Sequence, residues 1–236
     1  VGKKQLQVLL GVVVLVLVVA GALWGAKYGE LTEVPSSGAP SAATGSPAVP
    51  AVPASGEAAA NLDKLKVAPW HAMTGYSREK FKHWVSQGEG CDTRETVLKR
   101  DGKDVRTDKE CRATSGTWVS VYDGKTVEKA EELDIDHVVP LANAWRTGAA
   151  DWTDERRSQF ANDLKGPQLL AVTASTNRGK GDQDPSQWKP PARSYWCEYA
   201  TRWITVKHEY GLWVTQEEKA ALREMLGTCG TTPSTR

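Results

Sequence analysis

The chain has 236 residues, 30 Lys+Arg against 29 Asp+Glu, 40% hydrophobic residues and ten Trp. An ordinary charged fraction with this much aromatic bulk excludes a fibrous, coiled-coil or wholly disordered chain. A net charge of +1 excludes a uniformly basic nucleic-acid coat, so anion recognition must come from local clusters.

In chain order, residues 8–26 carry no charge and match the roughly 20 apolar residues that a bilayer core requires. Lys3 and Lys4 precede them, which holds that end in the cytoplasm and sends the rest outside. Residues 1–28 are therefore expected to be a transmembrane anchor or a signal peptide. Length favours the anchor, while Ala20-Gly21-Ala22 offers a cleavage site. Residues 29–61, rich in Pro, Ala, Ser and Gly, read as a tether, and residues 62–236 as one domain.

Within that domain the spacing predicts a helix over 77–87 with Phe81, Trp84 and Val85 on one side. Residues 117–122 are β-rich, Asp123-Gly124 is a hairpin signal, and the chain returns from Lys125. Residues 133–138 alternate as a strand does. A surface helix is predicted over 153–163 with Thr153 as N-cap, and an amphipathic one over 195–210 stopped by Gly211. Thr215 with Glu218 forms a capping-box pattern ahead of Ala221, Leu222 and Met225, with a stop at Gly227. The class is α+β, and most of the Trp sit at core spacing.

Cys91, Cys111, Cys197 and Cys229 all lie in the part expected outside the cytoplasm, where an even count favours disulfides. Of the three pairings, Cys91 with Cys111 and Cys197 with Cys229 each close a local loop and are the expected ones. No C-x-x-C or paired-His spacing supports a zinc site.

The chemistry concentrates between Asp134 and Trp188. DIDHVVPLANAW places Asp136 and His137 side by side at the end of a predicted strand, and TASTNRGKGDQDP follows with Asn177, Arg178 and Lys180. Together these runs resemble the HNH (ββα-metal) endonuclease motif, with the DH pair and NRGK-x-D closest to the HNH domain of RNA-guided CRISPR effector nucleases. From Cys91 to Cys229 the chain is similar to exported actinobacterial HNH nucleases related to the C-terminal domain of GmrSD-type restriction enzymes. The shared runs include DIDHVV, FAND and KGD, with a later WKPP.

That resemblance implies a ββα-metal core over about 117–190 and metal-dependent, sequence-nonspecific hydrolysis of DNA outside the cytoplasm. It implies His137 as general base, Asp136 and Asn177 as metal ligands, and Arg178 and Lys180 on the phosphates. An Asp and an Asn favour Mg²⁺ or Mn²⁺ over Zn²⁺. Asn162 has two readings, as the middle Asn that braces the histidine or as a helix-terminal cap. Asp134 reads as a surface carboxylate; Asp182 and Asp184 read as surface turns or outer metal ligands. The partners implied are nucleic acid and, if the first segment is retained, the cytoplasmic membrane, with no small-molecule cofactor. Two other classes stay open: a ribonuclease with the same site, and a non-catalytic envelope-binding module that would leave Asp136, His137 and Asn177 unexplained.

Overall fold

The structure, a computed structural model, describes residues 49–230. The apolar segment at 8–26 lies outside the described residues. Among the described residues no helix is long and apolar enough to cross a membrane.

The first helix, α1 (Ser55–Lys64), begins inside the stretch read as a tether. Its Ala-rich sequence favours helix, and Ala58, Asn61 and Leu62 are buried on the face that meets the C-terminal helices. The helix expected over 77–87 is not formed. Only a 3₁₀ turn, Arg78–Lys80, precedes irregular chain in which Trp84 adopts φ +56°. The Asn162 side chain accepts from Val85 N–H and donates to the Lys82 carbonyl, so groups a helix would pair internally are paired across the fold.

A short hairpin, β1 (Ser86–Gly88) and β2 (Cys91–Asp92), leads into α2 (Thr93–Asp101), capped by the Asp92 side chain on Glu95 N–H. An antiparallel sheet follows: β3 (Lys103–Thr107), β4 (Ala113–Val119) and β5 (Thr126–Val127). The expected turn is present between β4 and β5, with Gly124 at φ +71°. Both disulfides pair as expected, Cys91 with Cys111 and Cys197 with Cys229.

Strand β6 (Leu133–His137) pairs antiparallel with β7 (Leu169–Thr173), placing Asp136 opposite Leu170 and His137 opposite Leu169. Between the two strands run α3 (Leu141–Arg146) and α4 (Asp154–Ala161), the latter capped by Thr153 as predicted. Helix α5 (Ala174–Lys180) follows β7 directly. The C-terminal pair, α6 (Trp196–Tyr210) and α7 (Gln216–Leu226), shows the left-handed Gly211 stop and the Thr215–Glu218 capping box. The class is α+β.

Both faces of the β6–β7 pair are covered. Leu133, Ile135, Leu169 and Ala171 pack with Val97, Leu98 and Trp118, whereas Leu170 and Val172 join a larger core with Tyr122, Tyr199 and Trp203. Side chains of α2 occupy the strand edges: Arg94 donates to Leu133 O, Arg100 to Leu169 O, and Asp101 accepts from Ala171 N–H. Strand residues 134, 136 and 137 are thereby held among packed groups.

Candidate active site

Asp136 ends β6 almost fully buried, and a buried carboxylate is costly unless it is paired. Lys180, at the last turn of α5, donates to Oδ1 at 2.7 Å and Oδ2 at 2.8 Å, and to the carbonyl of His137 at 2.7 Å. Tyr122 donates to Oδ2 at 2.5 Å. Burial pushes the Asp136 carboxyl above the usual carboxylate range and lowers Lys180, while their mutual attraction opposes both shifts. Burial, reinforced by the Asp136 charge, raises Tyr122 and keeps its hydroxyl protonated as a donor. Lys180, expected on a phosphate, is thus corrected: it has no solvent exposure and fixes Asp136 instead.

His137 follows on the opposite strand face. Its Nε2–H donates to the Ala161 carbonyl at 2.9 Å, because a carbonyl can only accept. This fixes the tautomer and leaves Nδ1 as the basic nitrogen. The Trp84 ring stacks on the imidazole at 5.6 Å between centroids and 18° between planes, and His83 approaches edge-on at 6.4 Å. Burial lowers His137 to about 3, partly offset by the Ala161 contact and deepened by the positive charges of Arg78, His83 and Lys180. The ring is neutral near pH 7.

Asn162 caps α4 and makes four contacts: Oδ1 accepts from Val85 N–H and the Thr93 hydroxyl, and Nδ2 donates to the Lys82 and Ser158 carbonyls. It therefore ties the segment carrying His83 and Trp84 to the helix end that holds His137. It stands at the helix-terminal cap position, its side chain bonds these segments rather than His137, and it is not among the residues lining the cavity described next.

A cavity of about 450 Å³ opens between β6 and α5, lined by Asp136, His137, Asn177 and Arg178, with Arg78 and Asp182. Asn177 Nδ2 donates to Asp134 Oδ2 at 3.1 Å, and Arg178 Nε lies 3.4 Å from the same oxygen. Asp134 is thus a bracket for the Asn177 amide, turning its carbonyl oxygen elsewhere. Asp182 is ion-paired with Arg146, and Asp184 accepts from the Ser186 N–H and hydroxyl. Gly181 stands at φ +57°, a conformation that frees the chain to leave α5 directly after Lys180.

The donors at this cavity are hard oxygens. Lys180 uses a lone pair on each oxygen of Asp136 and Tyr122 a second on Oδ2, so Oδ1 retains one. One carboxylate and one amide, completed by water and phosphate, suit Mg²⁺ or Mn²⁺. Among the described residues no three His, Cys, Asp or Glu side chains converge as a closed zinc site would need.

Sequence reasoning missed Tyr122, Trp84 and Arg78. Tyr122 reads as one more apolar position of a β-rich run, and Arg78 as an exposed helix charge. Only the packed fold brings them to residues 136 and 137.

A protein of Arthroderma benhamiae described as "Uncharacterized secreted protein" is 54% identical over 183 residues, covering 78% of this chain and 90% of its own length. No solved structure matches. The family described as "GmrSD restriction endonucleases, C-terminal domain" matches residues 92–225, a span that contains β6, β7, α5 and every residue of the cavity except those of the Tyr76–Arg78 segment. The chain belongs to the GmrSD restriction endonuclease C-terminal domain family.

Proposed function

We propose that this protein is an exported nuclease of the HNH, ββα-metal type that hydrolyses DNA phosphodiester bonds without sequence specificity. The observation that carries the reading is the His137 tautomer. With Nε2–H held by Ala161 O, Nδ1 is the basic nitrogen of a residue that lines a cavity together with Asp136, Asn177 and Arg178. Family membership supports the nuclease class, and the relative described as secreted supports export.

In this mechanism His137 Nδ1 takes a proton from a water that attacks phosphorus in line. The P–O3′ bond breaks, the 3′ oxygen is protonated by solvent, and the products carry 5′-phosphate and 3′-hydroxyl ends. Arg178 and Arg78, on the cavity lining, hold the non-bridging oxygens. Asp136 and Asn177 would hold Mg²⁺ or Mn²⁺, which supplies charge for the pentavalent phosphate and the departing oxygen. Lys180 and Tyr122 keep Asp136 in place. Asp134 keeps the Asn177 carbonyl oriented.

The test is nicking of supercoiled plasmid by the full chain in mild detergent, with Mg²⁺, Mn²⁺, Zn²⁺ or EDTA, beside His137→Ala. Metal-dependent nicking that disappears in the variant is the expected result. Nicking that survives His137→Ala removes His137 as the base, and absence of cleavage of both DNA and RNA by folded protein removes the nuclease reading.

A further inference from the structure

Trp70 is one of three large apolar side chains exposed among the described residues, at 38%. Its exposure does not come from a loose chain. Ala68 N–H donates to Val214 O, Val214 N–H to Lys66 O, His71 N–H to Arg146 O at 2.7 Å, and Trp213 Nε1 to Pro69 O. The segment is pinned on both sides of the ring, and Trp70 shares one cavity with a second exposed apolar side chain, Val67 at 43%, so the two form a small apolar patch on a rigid segment.

Two neighbours bear on what that patch receives. The Arg146 guanidinium lies over the indole at 4.8 Å and is ion-paired with Asp182, which lines the catalytic cavity. Trp70 is therefore joined to that cavity through a single side chain. On its own side it borders a second cavity of about 590 Å³, lined by Val67, Pro69, Asp184, Gln187 and Gln216 among others. Cationic side chains line only the first of the two: Arg78 and Arg178 stand there beside Asp136 and Asp182, whereas the second contains apolar groups, amides and the exposed carboxylate of Glu217, with Asp184 buried against Ser186. Carboxylates repel a phosphate but accept from the exocyclic amines of a base, and an aromatic wall stacks on any base.

We propose that Trp70 and the cavity beside it form a stacking subsite for an unpaired nucleobase next to the scissile phosphate, so that single strands are the preferred substrate. This rests on the nuclease reading above. A paired base inside a duplex has both faces stacked and cannot enter such a site without being extruded.

The experiment uses the full chain carrying His137→Ala, so that bound strands are not cut, and titrates a fluorescein-labelled single strand and a matched duplex. With Trp70→Ala added, single-strand affinity is expected to fall about 5- to 100-fold, with Trp70→Phe retaining most of it and duplex affinity changing much less. Equal single-strand affinity with and without Trp70→Ala overturns the subsite, as does a Trp70→Phe loss as large as the Ala loss, or equal losses on both substrates. The two readings separate cleanly. If the His137-bearing chain cleaves nucleic acid while Trp70→Ala leaves affinity unchanged, only the subsite falls. If that chain neither binds nor cleaves, both fall.

Discussion

The indole of Trp84 lies nearly parallel to the imidazole of His137, 18° between planes, and its backbone is left-handed at φ +56°. A bulky residue in that region carries strain of about 1–2 kcal/mol, and the stacked ring holds it there. Trp84→Gly and Trp84→Ala both remove the ring, but only glycine accepts the backbone freely. Thermal unfolding is expected to find the Gly variant the more stable of the two by about 1 kcal/mol, reversing the usual order. In both, NMR titration of the His137 ring should show its pKa rising from about 3 toward the ordinary histidine value, because the ring gains water.

Lys180 and Asp136 can be tested through what removal of one partner leaves behind. Lys180→Met strands a buried carboxylate and is expected to cost about 3–5 kcal/mol in urea denaturation. Tyr122→Phe removes one bond to that charge and should cost about 1.5–3 kcal/mol. Asp136→Asn combined with Lys180→Met should recover much of the single-variant loss, since no charge is then left unpaired. A double variant no more stable than Lys180→Met would contradict the pairing.

The depressed His137 pKa also sets a pH dependence of stability in metal-free protein. Unfolded, the ring takes up a proton below about 6.5; folded, it does so only near 3. Between those values the unfolded state binds more protons, so the contribution is complete above pH 6.5 and is lost as pH falls toward 3. From pH 7 to pH 5 the loss is about 2 kcal/mol. Denaturation at both pH values, with EDTA, should show a smaller drop for His137→Phe by about that amount. Identical drops would refute the buried neutral ring.

Each disulfide closes a short stretch of chain, with sequence separations of 20 and 32. Reduction is expected to destabilise the fold by about 2–5 kcal/mol per bridge lost. A melting temperature unchanged by strong reductant, after mass spectrometry has confirmed free thiols, would show that the bridges contribute nothing.

Features set by neighbouring residues were legible in the sequence. The Thr215–Glu218 capping box, the Gly211 stop, the Asp123-Gly124 turn and the Thr153 cap each depend on a few adjacent residues, and each is where the sequence placed it. The region of residues 77–87 misled for the opposite reason. Phe81, Trp84 and Val85 have helical spacing, yet Asn162, far along the chain, captures their backbone partners. The DH pair was legible as a motif. Its environment was not: the burial of Lys180, the Tyr122 contact and the Trp84 cover depend on tertiary packing, and LDIDH alternates as if one face were wet although both are covered.

Strands β6 and β7 are connected through α3 and α4, and Trp84, Tyr122 and Lys180 join from three other stretches. No contiguous fragment short of most of the domain contains all of these residues. A chain still emerging, or one clipped between α4 and β7, lacks Lys180 on Asp136 or the carbonyl that fixes His137. The surroundings of Asp136 and His137 are therefore a property of the completed domain rather than of any one segment of it.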